Sequence, residues 1–231
     1  MSIAENIAQV RTNIAQACAQ AGRSPEEITL VGASKMNDAA ACREAIAAGI
    51  DALGENRVQE MTAKLADNAY DGAPLHFIGH LQRNKVKQVV GKVALIQSVG
   101  SMELLEEIEK VAAREQLVQE ILLEVNIGRE EAKSGFDPDA VTAAAEAALS
   151  LPHVRVRGLM TIPPADADRD ANMRYFQEVQ ALYVDINTKL FHNELKCLSM
   201  GMSGDYMDAI RCGATMVRVG TAIFGARNYN I

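Results

Sequence analysis

Eight short apolar runs alternate along this chain with segments whose apolar residues recur at helical spacing, and that alternation limits the possible folds more than any other feature. The runs are Ile28 to Lys35, a short stretch leading into Gly54, Leu75 to Gly79, Val93 to Val99, Ile121 to Val125, Val154 to Thr161, Cys197 to Met200 and Thr215 to Val219. Several are nearly continuous Val, Ile and Leu, as strands covered on both faces are. The intervening helical patterns include an alanine-rich segment from Asp38 to Gly49, then Arg57 to Asn68, Gln82 to Val90, a segment opened by Ser101, Pro138 to Leu149, Met173 to Leu190 and Ser203 to Cys212. Strands alternating with helices pair in parallel through right-handed crossovers. Eight such units in 231 residues fit a single closed (β/α)8 TIM barrel better than a doubly wound open sheet, the runner-up. Ile3, Ile7, Val10, Ile14 and Cys18 form one apolar stripe, which predicts an extra helix ahead of the first strand. Without a Pro/Gly/Ser-rich linker, one domain over residues 1–231 is expected.

Charge removes several function classes. Lysine and arginine total 23 against 30 acidic residues, a net charge of −7, so no general field draws nucleic acid or an anionic membrane. Arg83, Lys85 and Lys87 read as a solvated helix face. The N-terminal segment carries Glu5 between its apolar residues, unlike a signal peptide, and no apolar run has membrane-spanning length, so a cytoplasmic location is expected. Cys18, Cys42, Cys197 and Cys212 are scattered and read as small core residues. His76 and His80 lie on an extended run, roughly 13 Å apart, so no metal site is expected.

The chemistry concentrates at the strand ends. The first strand ends in Lys35, and an amine partly stripped of water at a barrel mouth can attack a carbonyl. Barrels often hold phosphate with the loops after strands seven and eight. Here those loops are Leu198 to Tyr206, with Ser199, Ser203 and a helix expected to open at Ser203, and Val217 to Thr221, with Arg218, Gly220 and Thr221. In a closed barrel the eighth strand borders the first, so Lys35 and Arg218 share one mouth. Pyridoxal 5'-phosphate needs both an amine and a phosphate site, and Arg218 is the natural partner for its ring nitrogen. An arginine there donates a hydrogen bond without keeping a proton on the ring, which makes a weaker electron sink than a carboxylate pairing.

The stretches LVGASK, GENRVQE, HFIGHLQRNK, EVNIGREEAKSGF, RGLMTI, LSMGMSGDY and GATMVRVGTAIFG resemble the pyridoxal phosphate homeostasis proteins along nearly the whole chain. The resemblance implies a barrel of the alanine racemase N-terminal type, with the cofactor as an aldimine on Lys35. It also implies phosphate contacts from Ser203, Gly220 and Thr221, a place near the ring for Arg218, and a pocket lined by Asn56, His80, Met160 and Ser199. Met36 and Asn37 depart from the usual sequence after the lysine, which leaves the shape of that loop open.

The expected role is to bind, buffer and deliver the cofactor to pyridoxal-phosphate-dependent apo-enzymes, without turnover, as a monomer rather than a dimer. The alternative is a racemase-like enzyme. That reaction needs an acid/base group on each face of the substrate, and the racemases take the second from another domain, which is not expected within this chain. Tyr206 is the residue that could substitute. A sugar-phosphate enzyme would need carboxylates at the strand ends, where Lys, Asn, His, Ser and Arg are expected instead.

Overall fold

The computed structural model describes residues 1–225. Eight strands close a parallel barrel in sequence order: β1 (Thr29–Ala33), β2 (Ala52–Glu55), β3 (Leu75–Phe77), β4 (Leu95–Val99), β5 (Gln119–Val125), β6 (Val154–Thr161), β7 (Cys197–Ser199) and β8 (Met216–Val219). The ring shuts where β8 pairs with β1, setting Arg218 opposite Val31. The helices are α1 (Ile3–Ala21), α2 (Ala39–Ala47), α3 (Val58–Ala66), α4 (Met102–Arg114), α5 (Val141–Ala148), α6 (Arg169–Leu190), α7 (Tyr206–Arg211) and α8 (Thr221–Phe224). This is the expected TIM barrel with its additional first helix. None of the described helices is long and apolar enough to cross a membrane.

The first helix is well specified locally. Ser2 and Glu5 form a reciprocal capping box at its start, and Gly22 ends it with φ 67°. Its stripe of Ile7, Val10, Ile14 and Cys18 is buried, each large side chain contributing about 1.5–3 kcal/mol. Since α8 has only four residues, α1 packs against α2, α7 and α8 and covers the seam between the first and last strands. Asn6 Nδ2 donates to the Ile223 carbonyl at 2.8 Å and ties the two ends of the described chain together.

Inside the barrel, Val31, Ala52, Leu95, Leu122, Met160 and Met216 form a small apolar cluster, separate from the larger core between strands and helices. Two residues further along three of these strands, the inward positions are Gln97, Glu124 and Arg218, so the interior turns polar toward the carboxyl ends. At Gly158 the pairing of β5 with β6 shifts register, and a Cβ there would stand 1.6 Å from the Cys197 carbonyl oxygen. Only glycine fits that crossing.

Several boundaries differ from the sequence expectation. Strand β1 stops at Ala33, and Ser34 to Asn37 make a turn closed by Asn37 N–H to the Ser34 carbonyl. The basic segment is a 3-10 helix, Arg83–Gln88, with Val86 its one buried residue and too little apolar footing for an α-helix. Helix α5 begins at Val141, after a turn in which Ala140 N–H bonds the Asp137 carbonyl. Helix α7 begins at Tyr206 rather than Ser203, because Asp205 Oδ1 accepts from Met202 N–H at 2.6 Å and holds the preceding residues in a turn.

Candidate functional site

Lys35 lies two residues beyond β1, half-buried at the barrel mouth. Its turn resolves the loop shape left open by Met36 and Asn37. Met36 takes φ 63°, as the third residue of a type II turn must, and Asn37 Nδ2 donates to the Lys35 carbonyl at 3.1 Å. On the outer side, Met36 N–H donates to Glu60 Oε2 at 2.8 Å. Behind the turn is a buried polar cluster. Glu55 Oε1 accepts from Ser34 Oγ at 2.7 Å, Lys64 Nζ at 2.6 Å and Tyr70 OH at 3.1 Å, while Lys64 Nζ also donates to the Ser34 carbonyl at 2.8 Å. Burial, with the adjacent Glu55 charge, pushes the Tyr70 phenol up and keeps it a donor.

On the neighbouring strand, Arg218 is 3% exposed inside the barrel. Its Nη1 donates to Ser199 Oγ at 2.5 Å and its Nη2 to the Thr161 carbonyl at 2.8 Å. Ser199 Oγ donates in turn to Gln97 Oε1 at 2.7 Å, and Gln97 Nε2 stands 3.0 Å from His76 Nδ1. Burial lowers the guanidinium to about 10, opposed by Glu124 and Asp205, so Arg218 stays cationic at neutral pH. Burial likewise lowers His76 to about 4, leaving a neutral imidazole in the interior.

The loops after β7 and β8 meet at Ser203, whose Oγ accepts from Gly220 N–H at 3.2 Å and Ala222 N–H at 3.3 Å. Main-chain donors at the start of α8 thus converge on one oxygen, the arrangement a phosphate oxygen requires. They lie at the entry to α8, not at a helix opening at Ser203. Thr221 is exposed beside them. Together with Lys35 and the buried Arg218, they suit a phosphorylated aromatic aldehyde.

The other expected residues divide. Asn56 and the exposed His80 line one cavity of about 420 Å³ between the ends of β2, β3, β5 and β6. Met160 belongs to the inner apolar cluster, and Ser199 is fully buried between Gln97 and Arg218. Tyr206 OH accepts from Asn13 Nδ2 of α1 at 2.9 Å, so that hydroxyl is engaged by the outer helix.

Two carboxylates sit at strand ends where none was expected, Glu55 and Glu124. Burial raises Glu124, against the lowering effects of Arg218 and Ser134, and its Oε2 has no hydrogen-bond partner among the described residues. Each left only a faint trace in the sequence. Glu124 interrupts the apolar run ILLEV, and Lys64, the partner of Glu55, falls on the same helical stripe as Val58 and Met61.

A closed eight-stranded barrel with a lysine after β1 and donor groups after β7 and β8 has the architecture of the alanine racemase N-terminal domain, and residues 6–228 match the family model of that domain. An alanine racemase of Clostridium difficile shares the fold with a TM-score of 0.73 at 17% identity, over 99% of this chain and 58% of that one. Within that class, the chain belongs to the pyridoxal phosphate homeostasis proteins. It is 42% identical over 229 residues to the one from Aquifex aeolicus, covering 99% of this chain and all of that protein. PipY of Synechococcus elongatus, solved with pyridoxal phosphate bound, is similar with a TM-score of 0.85 at 33% identity, over 97% of this chain and 100% of that one.

Proposed function

We propose that this chain binds pyridoxal 5'-phosphate covalently through Lys35, buffers it, and hands it to apo-enzymes that require it, without turning over amino acids. The observation that carries the reading is the seam between β8 and β1, where Lys35, Arg218 and the Ser203 donor cluster lie at one mouth. The bound cofactor would supply an aldehyde for amine capture and an electron-withdrawing ring.

The chain's own residues set the limits. The Lys35 amine would hold the aldehyde, Ser203 with Gly220, Thr221 and Ala222 the phosphate, and Arg218 the ring nitrogen. Arg218 stays cationic, so it donates at that nitrogen without maintaining a proton there, which weakens carbanion stabilisation. Tyr206, the candidate for an opposite-face acid, is committed to Asn13. Both observations favour binding over racemisation.

Borohydride trapping followed by peptide mapping tests the attachment. Lys35 should carry the reduced adduct, and Lys35→Ala should abolish it while leaving the apo-protein folded. An adduct on another lysine, or one that persists in the variant, would overturn the assignment.

A further inference from the structure

We propose that α3 is the positioning element for Lys35, gripping the lysine's turn on both flanks through Glu60 and Lys64, with Glu55 as the buried counter-ion of that clamp. The proposal rests on the reading of Lys35 as the attachment point.

Glu60 and Lys64 stand four residues apart on one helix and so project from the same face. Glu60 Oε2 takes the Met36 N–H at 2.8 Å, on one side of Lys35. Lys64 Nζ reaches the Ser34 carbonyl at 2.8 Å, on the other side. The residues immediately before and after the reactive lysine are therefore both fastened to α3. Met36 is the residue of the turn that needs a positive φ, which a side-chain-bearing residue adopts only when its surroundings impose it.

The chemistry of the clamp argues against a purely stabilising role. Glu55 is fully buried and Lys64 is 8% exposed. Taking two charges out of water costs several kcal/mol per ion, and apolar residues of similar volume commonly do as well or better for stability. What an apolar pair cannot do is hold Ser34 at both its carbonyl and its hydroxyl, as Lys64 and Glu55 do at 2.8 Å and 2.7 Å. A lysine side chain has four rotatable bonds, so directing its amine at one carbonyl carbon requires a fixed backbone origin. The cluster supplies that origin, and it does so from outside the barrel, clear of the mouth through which a cofactor enters.

Two variants separate positioning from folding. Glu60→Ala removes the acceptor on the partly exposed flank, and the pair Glu55→Gln with Lys64→Met removes the buried charges at similar volume. The measurements are the rate at which pyridoxal phosphate forms its adduct with the full chain, the visible circular dichroism of the product, and the melting temperature of the apo-protein. Both variants should form the adduct about ten- to a hundred-fold more slowly and with an altered dichroic band, while Glu60→Ala melts close to the parent. Parental rates and dichroism in Glu60→Ala and in the double variant, with borohydride mapping still on Lys35, would overturn the positioning role and leave the attachment reading intact. Mapping of the parent's adduct to a different lysine would overturn both.

Discussion

Ser203 shows how much of this site is made by single atoms. Its hydroxyl oxygen, from the loop after β7, accepts from the N–H groups of Gly220 and Ala222 after β8, so two main-chain donors aim at one point. A phosphate held here would receive charge-assisted contacts, and losing one costs about 1.5–3 kcal/mol, roughly ten- to a hundred-fold in affinity. Ser203→Ala combined with Thr221→Val should therefore weaken pyridoxal phosphate by at least that factor and leave unphosphorylated pyridoxal nearly unaffected, as measured by titration of the visible band. Equal losses for both ligands would remove these residues from phosphate recognition. Lys35, Ser203, Arg218 and Gly220 could be singled out in the sequence as candidates because they follow or end the first, seventh and eighth apolar runs, which a closed barrel brings to one mouth. Glu55 and Lys64 were not, since each is explained only by the other and by Ser34, and the sequence does not state that the three meet. Glu124 was hidden for a different reason: its run was read by its apolar members.

At the scale of elements, the rhythm of strands and helices was readable because buried parallel strands and amphipathic helices have distinct periods. The errors fell where a few polar contacts decide the boundary. Asp205 delays α7 by capturing Met202 N–H, and the turn at Lys35 shortens β1 by anchoring to α3. The close approach of β2 and β3 at the mouth was equally invisible. A Cβ on Gly79 would lie 2.2 Å from the Asn56 carbonyl oxygen and 2.6 Å from its Cα, so the two strand ends can approach as they do only because Gly79 has no side chain. Gly79→Ala should force them apart, costing about 2–4 kcal/mol of stability and moving Asn56 out of its cavity. Urea denaturation of the apo-protein reads the first effect, and a cofactor affinity reduced beyond what the stability loss predicts reads the second. An alanine variant of parental stability would show that the approach is not enforced.

For the whole molecule, acid stability should carry the mark of His76. Its folded value of about 4 lies below the ordinary 6.5, so between those limits the unfolded chain binds more protons. The associated stability is fully present above pH 6.5 and is lost as pH falls toward about 4, a total of about 3 kcal/mol. Urea midpoints across that range should fall less steeply for His76→Gln than for the parent, and identical slopes would assign the acid sensitivity to other groups. The closure of the barrel has a consequence on a different axis, that of time. Val31 pairs with Arg218, so the first strand to leave a ribosome waits for the last before the mouth exists. Contacts so distant in sequence form late and raise the entropic barrier to folding. A nascent chain displays Lys35 early as an ordinary solvated amine and acquires the buried guanidinium and the donors gathered at Ser203 only after β8 has been made. The groups proposed to recognise the cofactor thus come together only once β8 has closed on β1.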